Sequence, residues 1–141
     1  MNNNLLNLRE NNDLLQKDLA DRIGINRRTY SSWENGTKII PLKHLNTLCN
    51  CFNVSMDYIM CLNKNSITNN VNELNKKEIG NRIKHIREKY DLTVRDLAKD
   101  LNTTPSTISS YENGKTLILT AFAYQICKKY KISLDWLCGR K

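Results

Sequence analysis

Shifted by 78 residues against itself, the sequence aligns residues 1–63 with residues 79–141 without a gap, and 18 of the 63 pairs are identical. The identities cluster: Arg9-Glu10 with Arg87-Glu88, Asp13-Leu14 with Asp91-Leu92, and Asp18-Leu19-Ala20 with Asp96-Leu97-Ala98. The densest run is T-x-S-S-x-E-N-G, from Thr29 to Gly36 and again from Thr107 to Gly114. A chain of 141 residues that repeats itself once in this way holds two copies of one small domain, expected at 1–63 and 79–141. The intervening 64–78 is expected to be a linker, since Asn63 to Asn75 (NKNSITNNVNELN) is polar and without sustained period. Domains this small bury only about 60% of their chain surface, so the two copies are expected to gain support from packing on each other or from pairing with a second chain.

Composition removes several classes of function. The net charge of +8 and pI near 9.3 favour a polyanionic partner, nucleic acid or an anionic membrane surface. No apolar run approaches the ~18 residues that span a bilayer, and Met1 opens a polar, Asn-rich stretch with no signal-peptide pattern, so the expected compartment is the cytoplasm and no segment is expected to enter a membrane, while charge alone does not choose between the two polyanions. The five cysteines (Cys49, Cys51, Cys61, Cys127 and Cys138) are odd in number and form no C-x-x-C pair, which argues against disulfides and a metal site alike. Cys49 and Cys127 occupy equivalent positions of the repeat and read as small buried thiols. No Gly-rich phosphate loop, H-E-x-x-H or nucleophile motif occurs, so no catalytic residue, cofactor or small-molecule effector is indicated.

Each copy reads as five short helices, and the fold class as all-α. Ile79, Ile83, Ile86 and Tyr90 recur at helical spacing, with Met1, Leu5 and Leu8 matching the first three. A break follows at Asp13 and Asp91. A second helix is expected from about Gln16 to Ile23 and from Val94 to Leu101; Thr93 and Asp96 provide a capping box there, whereas the first copy has Leu15 in place of the cap. Asn26 and Thr104 are the N-caps of a third helix, with Pro105 at its favoured first position and Gly36 or Gly114 as its left-handed stop. A fourth helix carries Leu45, Leu48, Cys49 and Phe52, matched by Ala123, Ile126, Cys127 and Tyr130; the fifth is capped by Ser55 or Ser133.

The second and third helices satisfy what a helix-turn-helix requires: inward apolar residues, a small residue at the crossing and a turn residue tolerant of positive φ. In the first copy these are Leu19, Ile23, Ile25, Tyr30 and Trp33, then Ala20, then Gly24. In the second they are Leu97, Leu101, Thr103, Ile108 and Tyr111, then Ala98, then Asn102, an asparagine being among the residues that best tolerate the left-handed region. The helix-turn-helix units fall at about 16–35 and 94–113.

At these residues, from R-E…Q-K-D-L-A-D-R-I-G-I-N-R-R-T-Y-S-S-W-E-N-G to V-S-M-D-Y-I, and in the second copy from R-E…D-L-A-K-D-L to S-T-I-S-S-Y-E-N-G and I-S-L-D-W-L, the sequence resembles the phage-repressor helix-turn-helix family (Cro/cI-like, or XRE). The resemblance implies a bacterial or phage regulator of transcription, a repressor, that binds double-stranded DNA with helices 27–35 and 105–113 in the major groove. It places Arg27, Arg28, Ser32 and Asn35 on the base-reading face, Gln16 at phosphate, and Thr29 and Lys38 as further backbone contacts. In the second copy the same positions are Ser106, Thr107, Ser110 and Asn113, with Val94 opposite Gln16 and Pro105 opposite Arg27; Arg95 and Lys115 are its phosphate candidates. It also implies ion pairs tying helix one to helix three, Arg9 with Glu34 and Arg87 with Glu112.

The two copies are unequal. Residues 1–63 carry seven basic and six acidic groups, and residues 79–141 twelve and six, so the copy with arginines on its recognition helix is nearly neutral and the other is strongly basic. A division of labour is expected, the first copy reading bases and the second gripping phosphates through residues that include Arg82, Lys128, Lys129 and Arg140. The neutral recognition helix of the second copy keeps an alternative open, an antitoxin or adaptor in which one or both copies hold a protein partner. Tyr58 and Trp136 on the fifth helices read as core or interface residues, the latter allowing a homodimer; His44 and His85 read as surface residues.

Overall fold

Side-chain caps set where six of the described helices begin. The computed structural model describes residues 3–141, all of whose regular structure is helical. Asn26 and Thr104 accept from the backbone N–H of Thr29 and Thr107, and Ser55 and Ser133 from those of Tyr58 and Trp136, each satisfying a donor that the first helical turn leaves orphaned. Thr93 and Asp96 form the reciprocal capping box. Leu15 has no side-chain oxygen, so only half of that arrangement survives in the first copy, the Asp18 carboxylate accepting from Leu15 N–H.

Contacts along the chain divide it into two units, 1–72 and 73–141. The first holds α1 (Leu5–Asn11), α2 (Gln16–Ile23), α3 (Arg27–Glu34), α4 (Leu42–Phe52) and α5 (Met56–Ile59); the second holds α6 (Lys76–Lys89), α7 (Val94–Asp100), α8 (Pro105–Glu112), α9 (Thr120–Tyr130) and α10 (Leu134–Leu137). Asp13 and Asp91, where the first helix of each copy was expected to break, both adopt φ of 54°. Leu5, Leu19, Tyr30, Leu45, Leu48, Met56 and Ile59 are fully buried in the first unit; Ile83, Leu97, Ile108, Ala123, Ile126 and Leu134 do the same work in the second. Cys49 and Cys127 lie in these cores, and all five cysteines are free thiols. Met1, expected to open the first apolar stripe, lies outside the described residues.

The stretch expected to be a solvated linker, 64–78, is divided between the units. On the first unit, Asn46 and Asn50, one turn apart on α4, both donate side-chain amides to the Val71 carbonyl (2.8 and 2.7 Å), and the Ser55 hydroxyl donates to the Asn65 carbonyl (2.8 Å). On the second, Asn75 caps α6, which starts at Lys76, and the Lys77 backbone lies against Gly114: a Cβ there would stand 2.9 Å from Lys77 Cα. Backbone docking of this kind leaves no hydrophobic period, which is why the segment's polarity concealed it.

Candidate nucleic-acid interface

Helices α2 and α3 meet through Leu19, Ala20, Ile23, Tyr30 and Trp33, all buried, across a turn in which Gly24 takes φ of 76°. In the second unit Asn102 takes φ of 57° at the same turn, and Leu97, Ala98, Leu101, Ile108 and Tyr111 are buried. With one face spent on the core, each third helix has one outward face left. On α3 that face exposes Arg27 and Arg28, with Asn35 and Lys38 exposed beyond its end and Thr29 and Ser32 half-buried beside them.

The register of α3 is fixed by an ion pair. Arg9 donates through Nε to Glu34 Oε2 (2.7 Å) and through Nη2 to Oε1 (3.0 Å), while Nη1 caps the Leu14 carbonyl (2.8 Å). Arg87 repeats all three bonds to Glu112 and the Leu92 carbonyl, at 2.8, 3.0 and 2.8 Å. In both pairs the side chains are largely withdrawn from solvent, so the guanidinium fork is held by two charge-assisted bonds in a poorly screened setting. Burial pushes the Glu34 carboxyl upward, but the hydrogen bonds donated around it, led by Arg9, outweigh burial and leave its pKa below the ordinary value. The Tyr30 hydroxyl is buried beside the same carboxylate, and burial first, then Glu34, raise its pKa.

The first unit extends this pair outward. Gln16 Nε2 donates to Glu34 Oε1 (3.3 Å), and Gln16 Oε1 accepts from Arg27 Nη1 (3.2 Å). A chain of polar contacts therefore runs from Arg9 through Glu34 and Gln16 to the exposed guanidinium of Arg27. Sequence register named Gln16 and Arg27 but not the bond between them. Further along α3, the Ser32 hydroxyl donates to the Thr29 carbonyl (2.6 Å), and Asn35 Oδ1 accepts from the Thr37 amide and hydroxyl (3.0 and 2.8 Å). The Asn35 oxygen is thus committed to the turn, leaving its amide nitrogen as the group to meet a ligand. No sequence motif singles out Thr37. Lys38 is anchored by its own N–H to the Ser32 carbonyl (3.1 Å), with its side chain in solvent.

The second unit offers a different outward face. Ser106 and Asn113 are exposed, Thr107 and Ser110 half-buried, and Arg95 and Lys115 exposed at its margins. Thr107 Oγ1 is 2.9 Å from Thr104 Oγ1. Val94 stands where Gln16 does and can bridge nothing, so Glu112 serves Arg87 alone in this direction. Three expected phosphate-gripping cations are otherwise engaged. Arg140 is fully buried with its Nε 3.5 Å from the buried Asp135, Arg82 pairs with Glu78 (2.8 Å) and lies over the Trp136 ring, and Lys129 pairs with Asp100 (2.8 Å). Of these only Arg140 is removed from the surface altogether. His44, read from sequence as a surface residue, is half-buried against Trp33 with ring centroids 5.3 Å apart; burial first, then Lys43, lower its pKa.

Among the described residues no cluster of three or more His, Cys, Asp or Glu side chains is placed to hold a metal ion, and no helix is long and apolar enough to cross a membrane. Residues 5–59 match the family model described as "Helix-turn-helix", and residues 80–140 that described as "Helix-turn-helix domain". Among curated proteins, the chain is 33% identical over 70 residues to the antitoxin PezA of Streptococcus pneumoniae, a match covering 50% of this chain and 43% of that protein. It is 35% identical over 57 residues to YqaE of Bacillus subtilis, an uncharacterized HTH-type transcriptional regulator, covering 40% of this chain and 49% of that protein. The chain therefore spans less than half the length of either relative. Among solved structures it is similar to the clp gene regulator ClgR from Corynebacterium glutamicum, at 19% identity and a TM-score of 0.42, covering 48% of this chain and 71% of that one.

Proposed function

The chain is built from two helix-turn-helix domains in tandem, and we propose from this premise that it is a sequence-specific, double-stranded DNA-binding regulator of transcription that acts as a repressor. The observation that carries the proposal is the Arg27–Gln16–Glu34–Arg9 chain: it holds a guanidinium at the exposed start of a helix whose other face is locked in the core. A major groove admits such a helix, and an arginine fork matches guanine O6 and N7. In this reading Arg27, Arg28, Ser32 and the Asn35 amide meet base edges, while Thr29, Lys38 and Gln16 meet phosphate. On the second unit Ser106, Thr107, Ser110 and Asn113 face the duplex with weaker discrimination, and Arg95 and Lys115 supply charge. Repression follows from occupancy, because a protein seated in the groove blocks its site to others.

Selection of bound sites from random DNA, followed by affinity measurements at several salt concentrations, tests the reading. A recovered motif containing guanine, lost in Arg27→Ala or Arg28→Ala, is the expected result. Failure to enrich any motif overturns it. A second reading is supported by one feature of α8, the absence of any basic side chain on its outward face, together with the likeness of half the chain to an antitoxin. There α8 is covered by a protein partner, and substitutions such as Ser106→Arg abolish partner capture without changing the DNA motif.

A further inference from the structure

The second unit contains a cavity of about 380 Å³ between α6, the turn that caps α10, and Lys141. Ile86 and Ile132 give it apolar surface, Tyr90, His85 and Trp136 give it rings, and Lys89 and Lys141 give it positive charge. The rings are held in place. The Arg82 guanidinium lies 5.0 Å from the Trp136 ring centroid, donates to the Trp136 carbonyl and is itself tied to Glu78; the Tyr90 ring packs on Tyr130 at 4.7 Å. Even so, Tyr90 remains 44% exposed and Trp136 half-exposed, an unusual amount of fixed aromatic surface to leave in water. Neither Lys89 nor Lys141 forms an ion pair among the described residues.

The first unit shows that the fold does not require these groups. Seventy-eight residues earlier, Asn7 stands for His85, Asn11 for Lys89, Asn12 for Tyr90 and Asn63 for Lys141. The apolar positions are kept, Leu8 for Ile86, both buried, and Val54 for Ile132, both half-buried. What the second unit adds at one place is two cations and a ring-forming pair. It adds them in the copy whose recognition helix carries no basic residue.

We propose that this cavity binds a small organic anion with a flat apolar body, of the aromatic carboxylate or sulfonate class. The body lies against Trp136 and Tyr90, and the anionic group faces Lys89 and Lys141. The volume suits this occupant, falling at the small end of the roughly 300–1,000 Å³ typical of small-molecule sites. Lys89 Nζ already lies over the Tyr90 ring, 5.8 Å from its centroid, so a neutral ring leaves the two ammonium groups without a counter-charge, and a bare phosphate leaves the Trp136 and Tyr90 rings uncovered. Pre-set rings lower the ordering cost of binding. The site does not depend on α3 reading DNA, and its test contains no DNA.

The full chain, labelled with nitrogen-15, is titrated with 8-anilinonaphthalene-1-sulfonate while amide and indole N–H resonances are followed. Saturable shifts are expected at Ile86, Tyr90, Ile132 and Trp136, with none at Asn7, Asn11 or Asn12. The double variant Lys89→Gln, Lys141→Gln alters only exposed side chains and should weaken the probe by roughly tenfold, the worth of about one charge-assisted contact. N-phenyl-1-naphthylamine, the same body without the sulfonate, should bind parent and variant equally. The proposal is overturned by absence of saturation at millimolar probe, by equal shifts in the two units, or by an affinity indifferent to the double variant. Full competition by inorganic phosphate overturns it in favour of a simple anion site, and movement of the same resonances on dilution without probe overturns it in favour of a second copy of the chain.

Discussion

A guanidinium at an exposed helix start ordinarily samples many rotamers, and immobilising it on binding costs on the order of 0.5–1.5 kcal/mol. Arg27 has met part of that cost in the free protein, because Gln16 accepts from it and is held in turn by Glu34. Arg28, exposed beside it, has no such tie. Replacing either by Ala is therefore predicted to cost roughly 1–3 kcal/mol on the selected DNA site and to relax preference at one base. Only Arg27 should couple to Gln16: in a double-mutant cycle, Gln16→Ala and Arg27→Ala together should cost less than their sum, whereas Gln16→Ala with Arg28→Ala should be additive. Additivity in both cycles shows that the Gln16 bond does not organise the reader. Glu34 gives a prediction in pH. Its folded-state pKa lies below the ordinary carboxyl value of 4.5, so its contribution to stability is complete above that pH and is lost as pH falls further, toward the folded value. Amide exchange in α3 should accelerate over that interval in the parent and change less in Glu34→Gln. Glu34→Ala, which strands a mostly buried Arg9, should cost roughly 3 kcal/mol at neutral pH.

Between α6 and α8 the backbones touch at Gly80, where an added Cβ would stand 2.3 Å from the Tyr111 carbonyl oxygen and 2.7 Å from that of Glu112. Neither atom is the end of a flexible side chain, so the helices must separate to admit a methyl. Gly80→Ala gains up to about 1 kcal/mol of helix propensity but loses more to overpacking, typically about 1–3 kcal/mol and here with backbone displaced. A lower urea midpoint is the expected result, and an unchanged or higher one means the crossing is looser than its geometry. Elements of this kind divide into those legible in sequence and those not. Caps and turns are legible because their causes are local: Asn26 and Thr104 sit one residue before the helices they start, and Gly24 and Asn102 take the positive φ that their chemistry tolerates. The Arg9–Glu34 and Arg87–Glu112 ties, implied by family resemblance, have near-identical geometry in the two units. Contacts set by the distance between elements are not legible. The Gln16–Arg27 bond depends on how closely two helix starts approach, and the docking of Val71 on Asn46 and Asn50 joins segments more than twenty residues apart. Arg140 reads as a surface cation in sequence although Asp135, which it faces, stands only five residues earlier, because nothing in the local pattern shows that both side chains are buried.

One chain carries two unlike third helices, R-R-T-Y-S-S on α3 and P-S-T-I-S-S on α8, and under the proposed DNA-binding function that difference bears on what the whole molecule can recognise. Charge reinforces it. The surplus of the second copy persists without Arg140, since Lys84, Arg95, Lys115, Lys128 and Lys131 all remain exposed. Replacing Arg95 or Lys115 by Gln should thus weaken specific and random duplex alike, reducing the slope of log affinity against log salt by about 1 for each phosphate no longer neutralised. The arginines of α3 should instead change the ratio of specific to random affinity. If both surfaces engage one duplex, the site for a single chain has a part that discriminates strongly, read by Arg27 and Arg28, and a part held mainly through its backbone, and it cannot be a palindrome. A dimer of chains could restore two-fold symmetry, but only as a palindrome of composite half-sites, longer than two α3 footprints. Measuring the mass of the protein–DNA complex together with the symmetry of the selected site separates these cases. A single chain on an asymmetric site is the expected result. A single chain on a strict palindrome means that α8 reads the same bases as α3 despite having no arginine, which overturns the unequal roles. Two chains on a short palindrome, indifferent to Arg95→Gln and Lys115→Gln, mean that only α3 touches DNA and that the second unit serves another partner.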